Sequence, residues 1–232
     1  MAPVTTPRLH LVLMLALTFT TGIIDAVGYL GLDRVFTANM TGNVVILGMA
    51  LAGADDLPVA GPLVALAGFM LGAAIGGRVL RRAAQGWTHR STTTFGATGV
   101  MAVGLGVAAI AAHPEEGTVW GLVVTTLLAV AMGLQAAAAR RLAVKDVTTV
   151  VVTSTITGLA ADSRLAGGLG DSWARRLLAV VLILAGAAAG ALLLKIGEAG
   201  VGVGMIVAGV LALVVALIGH ARRDRETATP TP

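Results

Sequence analysis

The stretch Val35-Phe36-Thr37-Ala38-Asn39-Met40-Thr41-Gly42-Asn43-Val44-Val45-Ile46-Leu47 decides how this chain folds. The segment around it, 36–53, is apolar enough to enter a bilayer, but it is short and polar in its first half. Crossing ~30 Å of hydrocarbon as helix takes about 20 predominantly apolar residues. Val35, Phe36 and Thr37 favour extended backbone, Thr41-Gly42-Asn43 reads as a break, and Val44–Ala52 reads as a short helix. Such a pattern predicts a re-entrant segment, descending as extended chain and returning as a half-helix. Irregular backbone at that depth is tolerated only where protein or a water-filled cavity surrounds it.

The composition sets the bilayer around this segment. Of 232 residues, 56% are apolar and only 12% charged, with 31 glycines and no cysteine. A soluble domain carries about 25% charge to cover its water-facing surface. The mean hydropathy of +0.90 agrees with a membrane protein. Its abundant Gly and Ala let helices approach closely. The net charge of +4 does not point to nucleic acid, because the basic residues sit at the ends of apolar runs.

Six runs are long enough to span, at about 11–32, 58–77, 95–112, 118–139, 177–194 and 199–219. The first, which follows Arg8, is longer than a signal-peptide core and reads as a spanning helix. Two shorter segments, 36–53 and 147–161, remain. If both cross, the basic residues divide seven against nine, with no bias. If both enter and leave on one side, fourteen fall inside, and only Arg34 and Lys195 fall outside. The positive-inside rule selects the second arrangement, with both termini cytoplasmic.

The short segments resemble one another. Phe36–Asn43 aligns with Val152–Leu159 at an offset of 116, with Thr37/Thr153, Thr41/Thr157 and Gly42/Gly158 identical. The glycine pairs Gly72/Gly76 and Gly186/Gly190 match at an offset of 114. The fold expected is therefore an all-α polytopic membrane protein, one membrane domain over 1–232. It comprises six transmembrane helices plus two re-entrant half-helix segments in an inverted 3+3 repeat. Repeat one covers 11–112, repeat two 118–219, and 220–232 is a cytoplasmic tail. Three spans per repeat turn the second copy upside down. Inverted repeats with broken helices are a common plan of secondary transporters. The half-helix N-termini, expected near Thr41-Gly42 and Thr157-Gly158, would then face each other with unsatisfied N–H groups, a place for an anion or a polar solute.

Asp25 is the one ionisable residue well inside a span. A carboxylate there costs ~2.5–3.5 kcal/mol on insertion scales and normally faces a cavity or a partner. It reads as a coupling group, or as a structural cap for exposed loop N–H groups. Gly22, Asp25 and Tyr29 share one helix face; Tyr29 reads as an interfacial anchor or a lining residue. Thr37, Asn39, Thr41, Gly42 and Asn43 are the substrate-binding candidates of the first segment, and the chain's two asparagines both fall there. Thr153, Thr155, Thr157 and Gly158 are those of the second, and Gln135 is a further lining candidate. The glycine pairs read as intramolecular packing, with a homodimer as the alternative. His113, Glu115 and Glu116 form a short outside loop and are not expected to bind metal. No P-loop, GxSxG, HExxH or Rossmann fingerprint is present. No enzymatic activity, cofactor or metal is expected.

The run Gly22-Ile23-Ile24-Asp25-Ala26-Val27-Gly28-Tyr29-Leu30, followed by Val35–Asn43, resembles the signature of the YoaK-type family of uncharacterised bacterial membrane proteins. Met132-Gly133-Leu134-Gln135 and Thr157-Gly158-Leu159 resemble that family's second half. The resemblance covers nearly the whole chain and implies a six-span inner-membrane protein, without assigning a substrate or activity. Where family members often carry a polar residue after Gln135, this chain has Ala136. The function expected is a small secondary transporter or facilitator of a small polar or anionic solute. The alternatives are an uncoupled channel and a non-transporting scaffold or assembly protein. The expected partners are the lipid bilayer, the solute and, in the homodimer alternative, a second copy; nucleic acid is excluded.

Overall fold

Among the described residues, six helices are long and apolar enough to cross a bilayer, and two α-helices are not. The computed structural model describes residues 5–83, 86–142, 152–170 and 172–227, with side chains between Arg8 and Arg222. In chain order the helices are α1 (Thr5–Gly31), α2 (Met40–Leu51), α3 (Ala60–Leu80), α4 (His89–Ala111), α5 (Val119–Leu142), α6 (Val152–Ala161), α7 (Trp173–Leu194) and α8 (Gly200–Thr227). A 3₁₀ turn, Arg164–Ala166, lies between α6 and α7. No strand occurs among the described residues.

The long helices outrun the apolar stretches that announce them, because a hydrogen-bonded helix continues into polar ends when a cap is available. Before α4, the Thr88 side chain accepts the Ser91 N–H and Ser91 reciprocates to the Thr88 backbone, a capping box that starts the helix six residues before its apolar run.

Glycine sets the pairing of the long helices. A Cβ on Gly22 would strike Ile183 O and Ala187 N, and one on Gly190 would meet Ile23 O at 2.7 Å. Contact positions rise together along both chains, so α1 and α7 run parallel with their backbones touching. In α3 and α5, Gly133 meets Phe69 O and Ala73 N, while Gly76 meets Ala137 and Leu134. This pair is parallel too, and the contacts match: 22 and 133 are 111 apart, and 183 and 69 are 114 apart. Gly186 meets Phe19 O where Gly72 meets Val130 O. In the antiparallel pair α4 and α8, Gly99 meets Gly209 O and Gly106 meets Gly202 O. Small residues allow such approaches, where packing rather than water drives association.

These directions bring the start of α1, α4 and α7 and the end of α3, α5 and α8 to one end of the bundle. Arg8, Arg78, Arg81, Arg82, Arg90, Arg140, Arg141, Arg175, Arg176 and Arg222 gather there. Two apolar clusters fill the interior. One near that end holds Leu17, Leu80, Trp87, Phe95 and Leu142. The other holds Ile24, Val27, Val35, Leu128 and Met205. The second reaches the entrance of α2, since Val35 and Ala38 of the chain leading into that helix belong to it. Helix α2 packs on α3, and α6 packs on α7.

Candidate functional site

The chain turns away from the end of α1 and runs back along it. A Cβ on Gly28 would meet Val35 O at 2.6 Å, so only glycine lets the returning chain lie this close. One turn earlier in α1, Asp25 Oδ1 accepts three backbone N–H groups, from Thr37 (3.1 Å), Ala38 (2.8 Å) and Asn39 (3.4 Å). Extended residues leave their amides unpaired, and the carboxylate gathers them. Charge-assisted bonds of this kind are roughly twice as strong as neutral ones. The carboxylate thus repays part of its burial and fixes the place where α2 begins.

Asn43 completes the turn. Fully buried, it accepts the Phe36 N–H through Oδ1 at 2.9 Å and donates Nδ2 to Phe36 O. One amide side chain thereby satisfies both backbone groups of a residue that no helix or sheet serves. The reading of Thr41-Gly42-Asn43 as a break is corrected here. Helix α2 starts at Met40, and its N-cap is Asn39, whose side chain accepts the Gly42 N–H at 3.3 Å. Asparagine is among the best N-caps, and its side-chain bond lets the helix start four residues earlier. Gly42 is needed there because a Cβ would collide with the Phe36 ring.

A cavity of about 620 Å³ opens beside this turn. Its walls include Thr21, Asp25 and Tyr29 of α1, Phe36, Ala38 and Asn39 of the returning chain, Thr41, Gly42 and Val45 of α2, and Val152 and Thr153 at the start of the described part of α6. The first described residues of α6 therefore meet the first turn of α2 across one space. Tyr29 stacks on Phe36 with ring centroids 4.9 Å apart and forms part of the same wall.

The residues singled out by sequence divide as follows. Asp25, Tyr29, Asn39, Thr41, Gly42 and Thr153 line the cavity. Thr37 is buried behind it, its hydroxyl without a hydrogen-bond partner among the described residues, and Asn43 is buried as the support of the turn. Gln135 is buried too, donating Nε2 to Thr21 Oγ1 at 3.2 Å, and so holds a wall residue from α5. Thr155 is buried within α6 and Thr157 is exposed; neither is among the lining residues. Gly158 lies under Arg176, whose Nη1 is 2.6 Å from both Gly158 O and Asp162 Oδ2. Thr41 shares the cavity with Thr153 rather than with Thr157, its counterpart in the motif alignment. Described helix in α6 already begins at Val152, so Thr157 lies one and a half turns along it. Residues 147–151 of the second short segment lie outside the described residues. Sequence reading missed Thr21 and Phe36 as wall residues; Thr21 was detectable as the position four before Asp25 on the same face.

Comparison with known proteins places the chain. Residues 13–218 match the family model described as "Protein of unknown function (DUF1275)". The chain is similar to the UPF0700 transmembrane protein YoaK of Bacillus subtilis (strain 168), 33% identical over 151 residues that cover 65% of each chain. No solved structure matches. With six membrane-length helices and a transmembrane relative, this multi-pass membrane protein belongs to the DUF1275 family, the YoaK type.

Proposed function

We propose that this protein is a small secondary transporter or facilitator that binds a small polar solute between the starts of α2 and α6. The observation that carries the reading is the single cavity lined by Asp25, by the first turn of α2 and by Val152 and Thr153 of α6. Cavities of ~300–1,000 Å³ with a few placed polar groups are the usual form of small-molecule sites. In this reading α2 and α6 are re-entrant half-helices, and the protein is an inverted 3+3 repeat in a bacterial inner membrane with both termini cytoplasmic. The matched glycine contacts of α1–α7 and α3–α5, and the arginines gathered at one end of the bundle, support it.

Of the solutes expected, the polar one fits better than the anionic one. The amides of residues 37–39 are already taken by Asp25, which puts a resident carboxylate where an anion would sit. No catalytic chemistry, cofactor or metal is part of the proposal, and the bilayer and the solute are its partners. The three bonds to Asp25 Oδ1 also favour a second reading, a purely structural cap in a non-transporting scaffold.

The absence of cysteine makes a direct test available. Thr41→Cys and Thr153→Cys, each alone, are exposed to membrane-impermeant thiol reagents from either face of oriented vesicles. The transporter reading expects both positions to react, with aqueous access from each side. No reaction at either position from either side rules out a wet path and leaves the scaffold.

A further inference from the structure

We infer that the solute of this cavity is a small organic cation, a protonated amine or quaternary ammonium, and the inference rests on the proposed function. Among the fourteen described lining residues, Asp25 is the only acidic side chain, and none is Lys, Arg or His. The loop amides all bond to its Oδ1, while Oδ2 accepts no hydrogen bond among the described residues. A carboxylate in a low-dielectric space without a counter-charge attracts cations and repels anions far more strongly than in water.

The remaining wall selects the kind of cation. Thr21, Asp25 and Tyr29 stand four residues apart on α1, so hydroxyl, carboxylate and phenol ring form a stripe one turn apart. The Tyr29 ring, stacked on Phe36, borders the cavity beside the carboxylate. An aromatic ring next to an anion is how proteins recognise ammonium groups, through the ring's negative face. Met40, Val45, Ile46 and Ile183 add apolar wall to the same cavity, which suits an alkyl substituent and not a hydrated metal ion. Bound this way, the ammonium neutralises Asp25, and Thr41 and Asn39 are left for the polar end of the solute.

The test uses the full-length protein with Thr41→Cys in membrane vesicles. A trimethylammonium-bearing and a sulfonate-bearing methanethiosulfonate reagent are compared, each rate divided by its rate with a free thiol. The cationic reagent is expected to react at least about tenfold faster, with that preference collapsing in Thr41→Cys/Asp25→Asn. Asparagine keeps an acceptor oxygen for the loop amides, and the double variant also cancels any effect of the helix end on the thiol. In the Asp25 background, tetramethylammonium chloride slows labelling whereas potassium acetate does not; this arm stands even if the double variant does not fold. Equal rates, a preference for the sulfonate, or protection by acetate alone overturns the cation while leaving the wet cavity intact. Failure of both reagents overturns the proposed function and the cation with it.

Discussion

The two short helices, α2 packed on α3 and α6 packed on α7, differ in the contacts described for them. Helix α2 is fixed at its entrance: Asp25 gathers three amides, Asn43 closes on Phe36, and Asn39 caps the first turn. Helix α6 is gripped towards its exit, where Arg176 of α7 reaches Gly158 O and Asp162. The position 111 residues after Asp25, the spacing at which α1 and α5 contacts match, is Ala136. Among the described residues, the close backbone packing of α1 with α7 is matched by that of α3 with α5, while the carboxylate and asparagine bonds described above gather at the start of α2. Matched small residues keep the helices of both pairs close; a binding site needs polarity only on the side where the ligand is recognised.

The largest expected effect tests the shared part. Gly72→Val and Gly186→Val each place side-chain atoms into a neighbouring carbonyl, and neither backbone can retreat. Each should lower stability by about 3 kcal/mol or more, seen as loss of a monodisperse peak or of thermal stability in detergent. Gly77→Val and Gly104→Val face open space and should stay within about 0.5 kcal/mol. A large effect in α7 with none in α3 would break the matched scaffold.

A middle-sized effect tests the first half's private chemistry. Asn43→Leu leaves the Phe36 N–H and carbonyl unpaired beside a buried site and should cost about 1–3 kcal/mol. The residue aligned with Asn43 in the second half is already leucine, Leu159. A thermal midpoint unchanged by Asn43→Leu would mean that the first turn needs no more support than the second.

The smallest effect belongs to the grip on α6. The Asp162 side chain is 61% exposed, so its pairing with Arg176 is screened by water. Asp162→Asn should change stability by no more than about 1 kcal/mol. A loss comparable to that of Asn43→Leu would make the two tethers equivalent and dissolve the contrast.

Much of this was legible from residue patterns. Six helices follow from apolar length, and the same-end gathering of arginines follows from their loops, because insertion energetics act on local composition. Asp25 stood out because a charge in a span demands a partner, and Gly72, Gly76, Gly186 and Gly190 stood out by spacing. The start of α2 was hidden. Gly42 beside Thr41 and Asn43 looks like a helix breaker until Asn39 is seen capping it and the Phe36 ring is seen filling the space a Cβ would need. The meeting of Thr41 with Thr153 was hidden as well, since identical motifs invited an alignment by letters. Proximity across 112 residues depends on where each helix begins, and motif identity does not carry that. Gln135, a lining candidate by sequence, is buried and donates to Thr21, a long-range bond with no local signature.

The glycine contacts also dictate an order of assembly. The main partner of α1 is α7, some 160 residues further along, and that of α3 is α5, so the first four helices are synthesised before either interface can close. The bond between Asp25 and the loop, by contrast, joins residues only 12 to 14 apart. It can form as soon as the first hairpin leaves the ribosome. The first half of the chain can therefore enter the membrane with the Asp25 carboxyl already hydrogen-bonded to its own backbone. It then waits, with its glycine grooves open, for the second half to be made and dock into them.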